Sequence, residues 1–586
     1  MGQGQALLIA CFAIVLASCQ ATWRQVVPRQ CKVFCEGPLL DAVQTAGLFH
    51  DYKHFVDMPL NHDYGAVLSA FDKLSPSAKT NRTVLAQFVE EHFAEPGTEL
   101  EECHPGDFVP FPETFKRIQD PVYRSWAYEL HSKWRVLCRK VSAKVKRQPD
   151  RYTLIDIPHP FIAPGGRFRE FYYWDTFWIV KGLLASEMQL TAKNMIRNLA
   201  SMVQRFGFIP NGGRIYYLNR SQPPMLALMV ESYYAATEDK EFVREMLPLL
   251  ERELLFWKGQ RAVEWQHDDN YHPFTFFRYN VDVDSPRPES YKEDLETAEH
   301  LSGDVQKQQQ LYVDITSAAE SGWDFSSRWF DDSATNPKRN SMASIRTSQL
   351  VPVELNALIC DQLRIMAGFH ELLGNWSMAD LRQSEHEFMR YTFFKSFWNS
   401  QRGVWSDLDL STGEQTDKFY ASNPSPLFLG CAHGSRDIGR RVVDYLKRTG
   451  ASEFPGGLPT SFLHSGEQWD GPNGWAPLNH MLIEGLRRHG EEEAAFELAN
   501  KWIQTNYFVY ANDKGKKMFE KYDVESSLGS AGGGGEYEVQ EGFGWTNGVV
   551  LDLLLTYGDR LRAPATHTFH WAANKRIRTK AEVADV

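Results

Sequence analysis

Apolar residues recur at helical spacing along most of the chain. The clearest stretch is 352–373, where apolar side chains fall three or four positions apart, at Val353, Leu355, Leu358, Ile359, Leu363, Met366, Phe369 and Leu373. This spacing places them on one face of an amphipathic helix. Similar patterns predict helices over 123–146, 176–203, 226–237, 240–258, 380–398, 435–448, 478–503 and 545–557. Because alternating, strand-like runs are few, we expect an all-α fold.

Long segments rich in Gly, Pro, Trp and charge separate these predicted helices. They cover 158–175, 206–224, 282–291, 319–329, 465–477 and 519–547. Functional residues concentrate in such loops. Helices alternate with long loops, without a Pro/Ser-rich linker or a repeat of fixed period. This organisation favours one large toroid of helix hairpins over separate domains.

Composition narrows the class of partner. The 586 residues are 43% hydrophobic and 24% charged, an ordinary globular balance, and the net charge is −12. Nucleic acids and anionic membranes both attract clustered Lys and Arg, so this charge argues against them. The 17 Trp offer flat apolar faces that stack on sugars. For any single Trp, core packing is the preferred explanation, except where it lies beside clustered Asp, Arg and Gly.

The two ends of the chain carry the localisation signals. Residues 6–17 are apolar, too short to span a bilayer comfortably, and precede small residues, so 1–21 is predicted to be a signal peptide of a secreted, extracellular protein. The start lacks Lys and Arg, and 16–19 also resembles a lipoprotein cleavage box. The last apolar stretch, 549–557, is short and is interrupted by Asp552, which argues against a membrane anchor. We therefore expect one domain over 22–570 and a polar tail over 571–586.

Removal of the signal peptide leaves an even number of cysteines, as is typical of oxidised proteins: Cys31, Cys35, Cys103, Cys138, Cys360 and Cys431. The first two lack a second pair at zinc spacing, which favours a disulfide near the N-terminus over a metal site. The sequence does not define the pairing. Glycosylation sequons occur at Asn81, Asn219 and Asn375.

Three loops combine the groups that a polyhydroxylated ligand needs. Residues 164–175 contain two glycines, the planar donor fork of Arg167, and Trp174 beside Asp175. Residues 208–224 add amides, a hydroxyl and a guanidinium at Asn211, Arg220, Ser221 and Gln222. Arg287, Pro288 and Glu289 add a cation and a carboxylate around a rigid residue. Taken alone, the first and third of these loops would more often be explained by structural ion pairs.

Several carboxylates are candidates for acid–base catalysis. Asp324 lies among aromatics in 320–329, and desolvation raises the pKa of such an acid, as a proton donor requires. A helix N-cap or a partner of Arg328 is an equally good interpretation of that motif. Asp470, on the Trp-rich loop 468–477, is a rival. Glu520 precedes four glycines at 532–535, which suggest a mobile flap carrying Glu536.

Other chemistries lack their motifs. The glycine run is not followed by the Lys-Ser or Lys-Thr of a phosphate-binding loop, no His-Glu-x-x-His occurs, and no Gly-x-Ser-x-Gly elbow is present. These absences argue against a bound metal, a nucleotide site and a serine esterase.

These motifs resemble those of the trehalase family. Residues 164–177 and 468–477 are its two most diagnostic stretches, and similarity extends from about Cys35 to Val550. The resemblance implies an (α/α)6 barrel, trehalose as the substrate, two glucose products, inversion at the anomeric centre and no cofactor.

The same resemblance implies roles for single residues. Asp324 corresponds to the general acid and Glu520 to the general base. The implied sugar contacts are Arg167, Trp174, Asp175, Asn211, Arg220, Ser221, Gln222, Arg287, Pro288, Glu289, Gly322 and Glu536. A glycan at Asn219 would obstruct the sugar, so we expect N-glycans at Asn81 and Asn375 only.

Two alternative functions stay open. Another inverting α-glucosidase on the same barrel would use the same loops. A catalytically inactive carbohydrate-binding protein would also keep them, although the presence of Asp324 and Glu520 argues against it.

Overall fold

The computed structural model describes residues 27–266, 273–432, 437–527 and 529–564. Within these ranges the chain is mainly helical, as the apolar periodicity predicted. The α-helices are Cys31–Phe34, Pro38–Thr45, Lys53–Asp57, Tyr64–Asp72, Pro76–Lys79, Arg82–His92, Pro121–Leu137, Ala143–Arg147, Asp175–Ala185, Gln189–Phe206, Leu226–Thr237, Lys240–Gln260, Tyr291–Ala298, Val305–Glu320, Val353–Leu372, Trp376–Phe397, Ile438–Thr449, Ala476–Arg488, Glu492–Asn512 and Gly544–Thr556.

The architecture is the expected (α/α)6 barrel. Its inner wall includes Asp175–Ala185, Leu226–Thr237, Val353–Leu372, Ala476–Arg488 and Gly544–Thr556, and the ring closes where the last of these packs against the first. A 3-10 turn, Ser425–Leu427, bridges the third and fourth of these helices. Outer helices lie against them, for example Trp376–Phe397 on Val353–Leu372. The inner helix Val353–Leu372 is buried on nearly all sides, so that polar residues such as Asn356 and Gln362 are buried in it along with the apolar ones.

Three predicted helices have different bounds in the structure. The stretches 176–203 and 478–503 are each two helices, and the helix predicted over 123–146 ends at Leu137, before a strand. The breaks fall where the backbone takes a positive φ, at Glu187 (60°) and Gly490 (79°). A left-handed residue ends a helix without interrupting the apolar pattern on either side. The pattern alone therefore merged each hairpin into one helix.

The strands are short and connect the loops rather than building a core. They are Leu100–Glu102, Cys138–Val141, Phe161–Ile162, Ala262–Trp265, Phe274–Phe277, Leu350–Val351, Trp398–Asn399, Val404–Trp405, Leu408–Asp409, Glu414–Gln415, Asn473–Trp475, Lys521–Asp523 and Ser530–Ala531. Asn473–Trp475 pairs antiparallel with Lys521–Asp523 in the register Trp475 to Lys521. This pairing joins two of the loops that the sequence singled out.

The N-terminal helices between Cys31 and His92 form a second apolar cluster that packs against Tyr172, Tyr216 and Tyr217 of the barrel loops. A buried ion cluster joins the two parts. Lys53 Nζ lies 2.8 Å from Glu170, and Arg214 lies 3.1 Å from the same carboxylate. Buried charges need such pairing to offset their desolvation. The N-terminal region therefore supports loops of the barrel.

Three disulfides are formed, Cys31–Cys35, Cys103–Cys138 and Cys360–Cys431. The expected disulfide near the N-terminus is confirmed.

Across the described ranges, no helix has the length and apolar content needed to cross a membrane. The predicted signal peptide over 1–21 and the polar tail over 571–586 lie outside the described residues.

Candidate active site

A cavity that opens to solvent lies among the loops that connect the helices. It gathers residues from all the loops in which the sequence placed its candidates. The predicted site residues that line it are Arg167, Trp174, Asp175, Asn211, Arg220, Gln222, Arg287, Glu289, Gly322, Asp324, Glu520 and Glu536.

The two remaining candidates, Ser221 and Pro288, do not line the cavity. The Ser221 hydroxyl donates to the carbonyl of Ile209, and its backbone N–H donates to Glu320. The carbonyl of Pro288 accepts a hydrogen bond from the side chain of Gln44. Both residues hold neighbouring loop residues in place.

Asp324 follows the helix Val305–Glu320 by one turn. Burial raises the pKa of its carboxyl to about 7, and the nearby carboxylate of Glu536 adds to this shift, while Arg287 opposes it. Its backbone carbonyl accepts a hydrogen bond from Gln468. An aspartic acid in this setting keeps its proton through the mildly acidic range, as a proton donor must.

Glu520 stands immediately before the strand Lys521–Asp523 and is 2% exposed. Its carboxylate accepts a 2.9 Å hydrogen bond from the Tyr537 hydroxyl and lies 3.8 Å from Lys521 Nζ. Burial raises the pKa of Glu520, whereas Lys521 and the Tyr537 hydroxyl lower it. The backbone is also fixed, because its N–H donates to Gln540 and its carbonyl accepts from the Trp545 indole.

Asp175, the first residue of its helix, is a further carboxyl of the cavity and faces both Asp324 and Glu520. Burial raises its pKa well above the usual range, and the charges of Glu520 and Asp324 raise it further. Three carboxyls in one cavity cannot all ionise at low cost. Asp175 is therefore suited to donate a hydrogen bond to a ligand.

Asp470, the rival catalytic candidate, is fully buried and does not line the cavity. Its carboxylate accepts hydrogen bonds from the hydroxyls of Ser326, Ser327, Ser461 and Ser465 and from a backbone N–H. With its lone pairs occupied in this way, it holds two loops together and is not free to exchange a proton with a ligand.

Three arginines project their charge towards the cavity, and each is oriented by a carboxylate. Arg167 donates two hydrogen bonds to Asp51, of 2.8 and 2.6 Å. Arg220 lies 2.5 Å from Glu289. This geometry fixes the planar guanidinium groups before any ligand binds.

Arg287 is held from two directions. It lies 2.6 Å from Asp294, in its own segment, and 2.8 Å from Glu536, on the glycine-rich segment. Ser290 also donates to Glu536, over 3.1 Å. These contacts attach the segment that carries Glu536 to the rest of the site.

Two buried polar atoms at the cavity have no hydrogen-bond partner within the described protein, Arg220 Nη1 and Glu289 Oε2. An unpaired buried donor or acceptor costs free energy, about 1 to 3 kcal/mol for neutral groups and more for charged ones. One free donor beside one free acceptor suits a ligand hydroxyl, which can both accept and donate.

Indole rings form part of the wall. Trp469 stacks on Trp475 at a centroid distance of 3.8 Å, and the ring of Trp174 lies 5.7 Å from those of Trp469 and Trp545. Gly322 has a φ of +77°, and a Cβ there would come within 2.8 Å of the Trp174 ring. Only glycine therefore fits at this position without displacing the indole.

The cavity also contains residues that the sequence had not assigned to it: Lys53, Phe168, Tyr172, Tyr217, Ser290, Ala319, Trp469, Trp475, Tyr537, Phe543 and Trp545. The aromatic residues lie inside or next to the motifs already noted, so their position in those loops could have identified them as cavity residues. Lys53 had none, because it belongs to an N-terminal helix that only tertiary packing brings to the site.

Comparison with known proteins shows one consistent family. The sequence model named Trehalase matches residues 47–558. The trehalase of Oryctolagus cuniculus is 44% identical over 546 residues, 92% of this chain and 92% of that protein, and the trehalase of Homo sapiens is 43% identical over 548 residues, also with 92% of each covered. The structure of neutral trehalase Nth1 from Saccharomyces cerevisiae shares the fold, with a TM-score of 0.55 at 21% identity, covering 71% of this chain and 79% of that one.

Proposed function

The chain belongs to the trehalase family, and from that membership and the geometry of the cavity we propose that it hydrolyses α,α-trehalose to two molecules of glucose. Asp324 is the general acid and Glu520 the general base of an inverting reaction. The reaction takes place in a single catalytic domain over 22–570, and it uses no metal or cofactor.

The observation that carries this proposal is the contrast between two carboxyls in one cavity. Asp324 holds its proton up to a pH of about 7. Glu520 lies beside a lysine ammonium and accepts a hydroxyl hydrogen bond, and both contacts favour its ionised form. Burial raises the pKa of both carboxyls, and these two contacts limit the rise at Glu520, which makes Glu520 the better candidate for the ionised base that glycoside hydrolysis pairs with a protonated acid.

In the reaction, Asp324 protonates the oxygen that bridges the two glucose rings. Glu520 removes a proton from a water that attacks the anomeric carbon from the opposite face. Inverting enzymes keep their carboxyls roughly 6.5–9.5 Å apart to admit this water. Asp324 and Glu520 come from separate loops and both line the cavity.

The remaining polar groups bind the hydroxyls of the sugar. Arg220 Nη1 and Glu289 Oε2 are free to pair with one hydroxyl, and the Asp175 carboxyl donates to another. The indole of Trp174 offers its face to the C–H groups of a ring. Asn211, Gln222 and Glu536 complete the set of polar contacts.

The test is a trehalose assay on the wild type and on Asp324→Ala and Glu520→Ala, with the anomer of the released glucose followed by NMR. We expect each variant to lose at least ~1,000-fold in kcat, because general acid and base catalysis each contribute on the order of 10²–10⁴-fold. Wild type should release one β-glucose per cleavage. Asp332→Ala is the control, since that carboxylate is exposed and pairs with Lys418. Near-normal turnover in both catalytic variants would refute the assignment.

Two other functions are tested by the choice of substrate. A broader α-glucosidase would hydrolyse maltose or kojibiose as fast as trehalose. An inactive binding protein would bind trehalose without releasing glucose. Turnover of trehalose well above that of the other two disaccharides excludes both.

We also propose that the protein is secreted, with a signal peptide over 1–21 and N-glycans at Asn81 and Asn375. The three disulfides are typical of an oxidising compartment. Asn81 and Asn375 are exposed, whereas Asn219 has a buried Oδ1 and stands beside the buried Arg220. Peptide mapping of enzyme collected from the medium should find Asn219 unmodified. Retention of the enzyme inside the cell would refute secretion.

A further inference from the structure

Lys521 is the residue after the proposed base, and its side chain is fully buried. Its ammonium group donates to Gln468 Oε1 over 2.6 Å and lies 3.8 Å from Glu520 Oε2. Two rings flank it, those of Trp475 at 5.1 Å and Tyr537 at 5.2 Å. A buried ammonium is costly unless nearby charges and acceptors compensate it, so this placement points to a specific role.

Gln468 links this lysine to the other side of the cavity. Its Oε1 accepts from Lys521, and its Nε2 donates to the backbone carbonyl of Asp324. The side-chain amide of Gln468 therefore contacts both Asp324, the proposed acid, and Lys521, the residue next to the proposed base. Because an amide donates and accepts at fixed angles, displacement of one partner displaces the other.

The backbone around this bridge is rigid. Lys521 pairs with Trp475 across the two strands, and the indole of Trp475 donates to the carbonyl of Gln468. The backbone carbonyl of Lys521 also accepts from the N–H of Gly532, at the start of the glycine-rich segment. The lysine therefore cannot move away from the base without breaking strand pairing.

The charged groups that face Glu520 and Lys521 come from several elements. Besides each other, they are Arg167 on the first loop, Asp175 at the start of its helix, Asp324 across the cavity, and the titratable Tyr537 and Glu538 on the glycine-rich segment. Arg167 donates two hydrogen bonds to Asp51, so its charge is paired with that carboxylate. Lys521 instead forms its ion pair with the base, Glu520.

We propose that Lys521, held by Gln468, is a positioning residue that keeps Glu520 ionised as the base and fixes the acid loop relative to it. The proposal rests on the function proposed above. Removing the ammonium would raise the pKa of Glu520, and, because Asp324 also faces it, that of the acid. The ionised base is lost as pH falls through its pKa, so the whole bell-shaped pH profile would move towards higher pH.

The experiment measures kcat/KM for trehalose against pH in the full-length wild type, Lys521→Met and Lys521→Arg. We expect Lys521→Met to shift the acidic limb upward by about one unit or more and to lower the maximum about 100-fold. Lys521→Arg keeps the charge and should keep the limb within about 0.3 unit. Lys517→Met is the matched control, because that lysine is exposed and pairs with Glu541.

If Lys521→Met loses activity at every pH while its acidic limb stays in place, the inference is overturned. A lysine with a merely structural role would give that result. If Lys521→Met fails to fold, Gln468→Leu provides the test. That variant keeps the charge and should lower kcat about 10-fold with little change in the acidic limb, whereas wild-type kcat would refute the bridge. A wild type without trehalase activity would instead refute the proposed function.

Discussion

The hydroxyl of Tyr537 donates a 2.9 Å hydrogen bond to the carboxylate of Glu520, and the ring of the same tyrosine lies 4.6 Å from the guanidinium of Arg167. The glycine-rich segment thus supplies a direct contact to the proposed base. Tyr537→Phe removes the hydroxyl and keeps the ring. Because a hydrogen bond to a charged group contributes about 1.5–3 kcal/mol, we expect kcat to fall about 10- to 100-fold with little change in KM.

Steady-state kinetics with trehalose at several pH values checks this prediction. The acidic limb should also move upward, since the hydroxyl favours the ionised form of Glu520. Tyr522→Phe is the control, because its hydroxyl accepts only from the backbone of Phe519 and lies outside the cavity lining. Unchanged kcat in Tyr537→Phe would contradict a role for this hydroxyl.

Asp51 orients Arg167 from the N-terminal region. Asp51→Asn removes the charge and one of the two acceptor oxygens of this pair, so Arg167 loses its fixed orientation. We expect kcat/KM for trehalose to fall about 10-fold, mainly through KM. Asp63→Asn provides the comparison, because Asp63 pairs with Arg151 on the surface, 82% exposed. Equal behaviour of the two variants would show that the N-terminal region does not act on the cavity.

Gly322 tests the fit of the indole wall. In Gly322→Ala the new Cβ would lie 2.8 Å from the Trp174 ring, in addition to the cost of a positive φ. Gly374→Ala has a similar φ of +80° but nothing within 4 Å, so it carries the backbone cost alone. We expect both to lower the free energy of unfolding by about 1 kcal/mol or more. Only Gly322→Ala should also lose most of its trehalase activity.

The alkaline limb of the pH profile reports the acid. Since the pKa of Asp324 is raised to about 7, the protonated acid is present below this value and is lost as pH rises through it. Activity should therefore decline above about pH 7. Glu536→Gln removes a carboxylate that raises this pKa, so the alkaline limb should move to lower pH. Glu525→Gln, at an exposed carboxylate that pairs with His464, should leave that limb in place.

Local sequence patterns were enough to predict most of the helices, the long loops and the family. Apolar spacing along 352–373 or 226–237 is a local property, and helix formation follows it directly. The motifs around Asp324 and Glu520 likewise stand in consecutive residues, so they could be compared with a family without knowledge of the fold. Because such patterns are local, the predicted helices continued past the helix ends at Glu187 and Gly490, where single left-handed residues reverse the chain.

Which carboxylates face the cavity, and which groups surround them, depends on how distant parts of the chain pack together. Asp470 and Asp324 look alike in sequence, yet four serine hydroxyls surround one while the other lines the cavity. The Asp51 contact to Arg167 spans 116 residues, and the Gln468 contact to Asp324 spans 144. Closure of the barrel brings such distant loops together, and the desolvation and charge that tune an acid or a base depend on those neighbours.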